Sequence, residues 1–169
     1  MIPFRTLNRP GSLSPALSRV AVTAGLILWL APAQPLSAQF SVVGTRDLAF
    51  GAVIPGVTML VAPMDPVRAG VFDITANLGT RLRLDFALPT RLVSPGGAQM
   101  TVNFANGDAI LLETGPGGVP NTQNPKSMKP YTMTRGNRLM IYLGGNVTPT
   151  GSQAIGVYTA SILLTVTIL

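Results

Sequence analysis

Side chains able to do chemistry are scarce in this chain. It contains no histidine and no cysteine, and its carboxylates number six: Asp47, Asp65, Asp73, Asp85, Asp108 and Glu113. Without histidine there is neither a Ser-His-Asp triad nor an imidazole base. Without cysteine there is no thiol nucleophile, no zinc site of the usual nitrogen and sulfur kind, and no disulfide framework. Glycoside hydrolysis needs two carboxyl groups facing across a cleft. Here the six fall singly on different predicted strands and turns, with Asp85 at a solvent-facing strand position. A calcium loop needs clustered oxygens, and no Asp-x-Asp spacing occurs. Gly117-Gly118 and Gly144-Gly145 precede no helical pattern, so they read as turns and not as phosphate cradles. Asn146-Val147-Thr148 matches the N-glycosylation sequon, a pattern short enough to occur by chance. These absences predict a protein that is not an enzyme and uses no cofactor or metal.

The elements that carry these residues follow a leader. Arg5, Arg9 and Arg19 form a positive start, and Val20 to Ala31 (VAVTAGLILWLA) is free of charge. That run has the length of a signal-peptide apolar region and is too short for a bilayer span of about 20 residues. Leu36-Ser37-Ala38 before Gln39 fits a signal-peptidase site, and Ala31-Pro32-Ala33 is the alternative. The expected organisation is a signal peptide over 1–38 and one domain over 39–169. Export to the periplasm, and from there to the cell surface or medium, is expected, with no membrane-spanning segment in the mature chain.

Removing three arginines from twelve basic residues leaves nine against six acidic ones, a net charge of +3 where the whole chain has +6. Residues 114–169 hold Lys126, Lys129, Arg135 and Arg138 and no acid. The bias reads as a solvated loop face, with contact to an anionic glycan or lipopolysaccharide as the functional alternative. No basic run is interleaved with aromatics, which argues against nucleic acid.

After residue 39 no segment shows helical periodicity of useful length. Short apolar runs alternate and are parted by Gly and Pro, as in an antiparallel sandwich. Val57–Ala62, Val71–Thr75, Arg81–Leu88, Met100–Phe104, Ala109–Thr114 and Arg138–Leu143 are expected strands. Gly144-Gly145 is expected to stop the last of these. Gly115–Pro130 is expected to be a long polar loop, and Val157–Leu169 the final strand. The expected fold is all-β, about eight or nine strands in two sheets packed face to face.

The final strand carries the most informative pattern. Tyr158, Ala160, Ile162, Leu164, Val166 and Ile168 fall on one face, with Ser161, Thr165 and Thr167 between them, and Gly156 stands fourteenth from the end. An apolar edge strand of this kind either pairs inside its sheet or meets another chain by strand addition.

This pattern resembles the C-terminus of chaperone–usher pilin subunits, which share a Gly at that spacing and alternating apolar residues. Ile168 stands where those subunits carry a penultimate aromatic. More broadly the chain is similar to the bacterial pilin-like family of domain of unknown function 4402, related to spore coat protein U and Mat-type fimbrillins. The matching segments, in the family's order, are Asp47-Leu48-Ala49-Phe50-Gly51 with Ile54-Pro55-Gly56, the strand ending Leu88-Pro89, Met100 to Phe104, Leu143-Gly144-Gly145, and Gly156-Val157-Tyr158. The resemblance implies an immunoglobulin-like sandwich lacking its last strand, with an apolar groove filled first by a periplasmic chaperone and then by a like subunit's N-terminal extension. It implies Gly156, Tyr158, Ile162, Leu164, Val166 and Ile168 as groove positions and Phe40 and Val42 as donor-strand candidates. Gln39 to Arg46 is a short donor, and Gly44 and Arg46 do not continue its apolar row. The expected function is therefore a structural subunit of a surface fimbria or coat-like appendage, active in cell adhesion. The alternative is a self-contained secreted sandwich that binds a glycan or protein through Gly115–Pro130 and the neighbouring cations.

Overall fold

The computed structural model describes residues 40–169, so the expected signal peptide and its cleavage site lie outside the described residues. Twelve strands follow in order: β1 Ser41–Arg46, β2 Met59–Val61, β3 Gly70–Thr75, β4 Arg81–Ala87, β5 Arg91–Val93, β6 Gln99–Asn103, β7 Ala109–Glu113, β8 Asn121–Gln123, β9 Tyr131–Thr132, β10 Arg138–Leu143, β11 Gly145–Thr148 and β12 Leu163–Ile168. All pairings are antiparallel. Among the described residues no helix is long and apolar enough to cross a membrane.

The strands form a sandwich. One layer is the five-stranded sheet β1-β3-β10-β7-β8. The other is built from a four-stranded sheet, β2-β11-β6-β5, and a three-stranded sheet, β12-β4-β9. These two pieces belong together because β4 and β5 follow each other across Pro89, and Thr159, just before β12, bridges Val93 of β5. Proline cannot donate to a ladder, so the path bends there and the layer splits between β4 and β6. Met128, on the loop beyond β8, packs against both halves of the core across that split.

Alternation decides what goes inside. Leu82 and Leu84 of β4 are buried while Arg81, Arg83 and Asp85 are exposed. Met100 and Val102 of β6, Leu139, Ile141 and Leu143 of β10, and Ala109 and Leu111 of β7 follow the same rule. The core falls into two clusters, one around Phe104, Val102 and Val147 and the other around Ile74, Leu84 and Ile141. Phe72 and Phe86 touch both and meet edge to face with ring centres 5.4 Å apart.

Several expected boundaries move. Gly144-Gly145 does not end the run from Arg138, because β11 starts at Gly145 directly after β10. At Gly144 the chain changes layers: its neighbours belong to β10 on one side and to the β11–β2 pairing on the other. A Cβ on Gly144 would lie 2.5 Å from the Val61 carbonyl oxygen and 2.7 Å from the Pro63 nitrogen, so only glycine fits this crossing. The polar stretch Gly115–Pro130 contains the short strand β8, and continuous strand at the C-terminus is confined to Leu163–Ile168.

Candidate functional site

A groove of about 1070 Å³ opens between the edge strands β1 and β12. Its walls include Val42 and Gly44 from β1, Phe72 from β3, Leu92, Val102 and Phe104 from the second layer, and Tyr158, Ile162 and Leu164 from the C-terminal segment. The lining is mostly apolar and includes Phe104, which is 2% exposed, so the groove reaches the core. Arg46 and Asp47 supply charge at one margin.

Register shows what the rims of this groove present. In an antiparallel pair, residues alternate between exchanging backbone hydrogen bonds with the partner and pointing those groups away. The Leu169 N–H donates to the Arg81 carbonyl, and the register pairs Leu163 with Ala87 and Ile168 with Leu82. Residues 163, 165, 167 and 169 therefore spend their N–H and C=O on β4. Ile162, Leu164, Val166 and Ile168 point theirs to the open edge. Upstream, Thr159 and Val93 exchange both hydrogen bonds, at 2.9 and 3.1 Å, so Tyr158 and Ala160 share that outward parity. Across the groove, Ala76 N–H donates to the Asn137 carbonyl, which commits Phe72 and Ile74 to β10 and leaves Val71, Asp73 and Thr75 for β1. Their partners Ser41 and Val43 are thereby used, and Val42 and Gly44 point their backbone groups outward.

Apart from Gly44, which has no side chain, the same residues turn their side chains inward. Val42 stands opposite Ile74 and Gly44 opposite Phe72, both core contacts. Tyr158 and Ile162 pack on one cluster, Leu164 and Val166 on the other. None of the six inward residues of the C-terminal row is fully buried, whereas their counterparts Leu82 and Leu84 on β4 are. The β12 edge thus offers free backbone groups on residues whose apolar side chains are half covered, and the β1 edge offers free backbone groups at Val42 and Gly44 with one apolar side chain, that of Val42.

The structure brings Gly156, Tyr158, Ile162 and Leu164 to the groove, with Val166 and Ile168 continuing their row along β12. Ile168 is 53% exposed at the far end. Gly156 lies before the Thr159 bridge, outside continuous strand, and a Cβ there would meet nothing nearer than the Ser94 Cβ at 3.8 Å. The Tyr158 hydroxyl donates to the Ala154 carbonyl and accepts from Gln153 Nε2, both at 2.7 Å, which holds the segment before the bridge. Phe40 and Val42 occupy a different place from a free donor arm. Phe40 directly precedes β1, and Val42 lies within it, paired to β3 of the same chain. Thr45 donates to the Val71 carbonyl, and the Arg46 guanidinium donates to the carbonyls of Ala69, Pro66 and Asp65.

The side chains of three of the four cations near the C-terminal half have separate partners. Lys126 donates to Asn103 Oδ1 at 3.1 Å, Arg135 to the Gly117 carbonyl, and Arg138 to Asp73 on the neighbouring strand. The Lys129 backbone N–H donates to Gln123. Five of the six carboxylates, all but Asp47, have structural partners as well. Asp65 accepts from the N–H groups of Val67 and Arg68, which hold it below its ordinary range, and Asp108 accepts from Ala105 N–H. Among the described residues no group of three or more Asp or Glu could hold a metal ion.

Glu113 is the residue sequence reasoning missed. It is 2% exposed on the inward face of β7, in phase with Ala109 and Leu111. Its carboxylate accepts from the N–H groups of Thr134, Arg135 and Gly136 and from the hydroxyls of Tyr131 and Thr134. Burial alone pushes its pKa up, but the donors from Arg135, Gly136, Thr134 and Tyr131 outweigh it and hold the group below its ordinary value. The phase with Leu111 was the available signal: an acid on the buried face of a strand must find donors there. It pins the loop Thr134–Gly136 to β7, and with every donor turned toward the loop it has no free oxygen aimed at a ligand.

No family model, curated protein or solved structure matches this chain.

Proposed function

We propose that this protein is a non-enzymatic structural subunit of a surface fimbria or coat-like appendage, assembled by accepting a β-strand into the groove between β1 and β12. The observation that supports the reading is the coincidence of two properties on the same residues. Ile162 and Leu164 leave their backbone groups unpaired and their side chains half covered, with Val166 continuing the row along β12, and on the opposite wall Val42 does the same beside Gly44, whose backbone groups also point outward. An added strand satisfies both at once: its backbone completes the ladder, and its alternate side chains close the core. The resemblance of the C-terminal row to pilin subunits agrees with this use, and with an immunoglobulin-like sandwich that lacks one strand. On this reading a periplasmic chaperone and like subunits are the partners, and the sites of action are the periplasm and then the cell surface.

The reading with a glycan-binding face has less to stand on, because Lys126, Arg135 and Arg138 are engaged with three different parts of the fold. The test is size-exclusion chromatography with light scattering and thermal melting, on the protein alone and with an added strand peptide of alternating Val and Thr. The expected result is a marginally stable protein that the peptide converts into a stable monomeric complex. A protein that melts cooperatively as a monomer and ignores the peptide overturns the proposal.

A further inference from the structure

We infer that the strand filling the groove comes from a different protein, and that this chain is an acceptor whose own Phe40–Arg46 segment never leaves its sheet. The inference rests on the strand-accepting reading above and specifies the partner.

The occupant is a peptide because of what the rims offer. A lipid or a sugar would cover the apolar lining but leave the outward N–H and C=O groups of Ile162, Leu164 and Val166 unmatched, at a repeat of two residues that only an extended backbone reproduces. The chemistry of the segment follows from the walls: aliphatic side chains at every second position toward Phe72 and Leu164, and no charge on that face.

The identity of the donor follows from β1. The nearest candidate in this chain is Phe40–Arg46, which already forms one wall of the groove through Val42 and Gly44. Donation to a neighbour would remove that wall and uncover Phe72 and Ile74, so the same molecule cannot give β1 away and keep a site that receives a strand. β1 is also fastened. Beyond its pairing with β3, Arg46 donates to the carbonyls of Ala69, Pro66 and Asp65, and Thr45 to that of Val71. Upstream sequence is no substitute: Leu36-Ser37-Ala38-Gln39 holds one large apolar side chain, and Pro32 and Pro35 interrupt what precedes it. With cleavage after Ala38 only Gln39 would stand ahead of Phe40, and with cleavage after Ala33 only Gln34–Gln39 would, which include Pro35.

The experiment uses the protein recovered after export, with any leader removed, and the V43C/D73C variant, whose positions face each other across β1 and β3 and where Val43 is 52% exposed. Oxidation locks β1 to β3 outside the groove. Two labelled peptides are titrated, one copying Gln39–Arg46 and one of ten residues alternating Val with Thr, and oligomeric state is followed by light scattering. The alternating peptide is expected to bind the wild type and the oxidised variant with affinities within threefold, at least tenfold tighter than the Gln39–Arg46 peptide, with no polymer from the protein alone. Comparable affinity for the Gln39–Arg46 peptide overturns the inference while leaving the groove reading intact, and so do polymers that oxidation abolishes. Binding of neither peptide overturns both. Should the variant fail to fold, the wild-type comparison of the two peptides still decides.

Discussion

Leu164→Asp should separate binding from folding. Leu164 faces the cluster around Ile74 and Ile141 yet remains half covered, because its side of β12 is an open edge. Fully burying a leucine is worth about 1.5–3 kcal/mol, so about 1 kcal/mol is still available to an incoming strand at this position. An aspartate forfeits that and sets a carboxylate against apolar side chains, adding about 2 kcal/mol or more of uncompensated desolvation. The sum, about 3 kcal/mol, predicts strand binding weakened about a hundredfold. In the free protein the aspartate keeps access to water, so the loss of stability should be about 1 kcal/mol, or a few degrees in Tm. The assay is fluorescence anisotropy with a labelled peptide alternating Val and Thr, alongside thermal melting. Two comparisons frame it. Thr165→Asp, on the outward face of the same strand, should leave affinity unchanged, whereas Leu84→Asp, 1% exposed on β4, should not fold. Affinity within threefold of wild type for Leu164→Asp would refute the groove as the binding surface, and so would an equal loss for Thr165→Asp.

Glu113→Gln removes a charge that accepts three backbone N–H groups and two hydroxyls, and should cost about 2–4 kcal/mol at pH 7 in urea unfolding. Because the folded pKa of Glu113 lies below the unfolded one, its contribution is complete above the ordinary value of 4.5 and disappears as pH falls through the folded value. The urea midpoints of wild type and variant should therefore converge in strong acid; a constant difference from pH 7 to pH 2 would contradict the role given to the charge. Gly144→Ala places a Cβ 2.5 Å from the Val61 carbonyl oxygen and should destabilise by about 3 kcal/mol, while Gly156→Ala, with nothing nearer than 3.8 Å, should change Tm by less than a degree or two. Asp73→Ala breaks the pair with Arg138, whose side chain is 50% exposed, and should cost under about 1 kcal/mol with little cost left in 1 M salt.

The sandwich was legible wherever one face of a strand is buried and the other wet. Leu82 and Leu84 against Arg81, Arg83 and Asp85 is such a strand, and the C-terminal row from Tyr158 to Ile168 keeps one parity throughout. Ser41–Arg46 was not legible as a strand, since adjacent valines followed by glycine carry no alternation; β3 imposes its conformation by pairing. The step from β10 to β11 was hidden for another reason. Gly144-Gly145 has the composition of a turn, but here the missing side chain serves close backbone approach between layers, which composition cannot distinguish from a reversal. The short strands β5, β8 and β9, two or three residues each, are too brief for any period to register. The open groove itself was not readable from residue spacing, because alternation reports which face a side chain takes and not whether anything stands beside the strand.

Position within the core gives the groove leverage over the whole sandwich. Phe72 lies on its wall and also touches both core clusters, directly and through its edge-to-face contact with Phe86. A strand packed on Phe72 therefore restrains the two halves of the core together, and its backbone removes a free edge from each layer. Anything that binds the folded state alone stabilises it by mass action, about 2.7 kcal/mol at a hundredfold excess over Kd. That gain is a large share of the 5–15 kcal/mol by which a domain is ordinarily stable. If the groove takes a strand as proposed, the free energy of binding is then also free energy of folding, and the protein with its groove unfilled should be its least stable form.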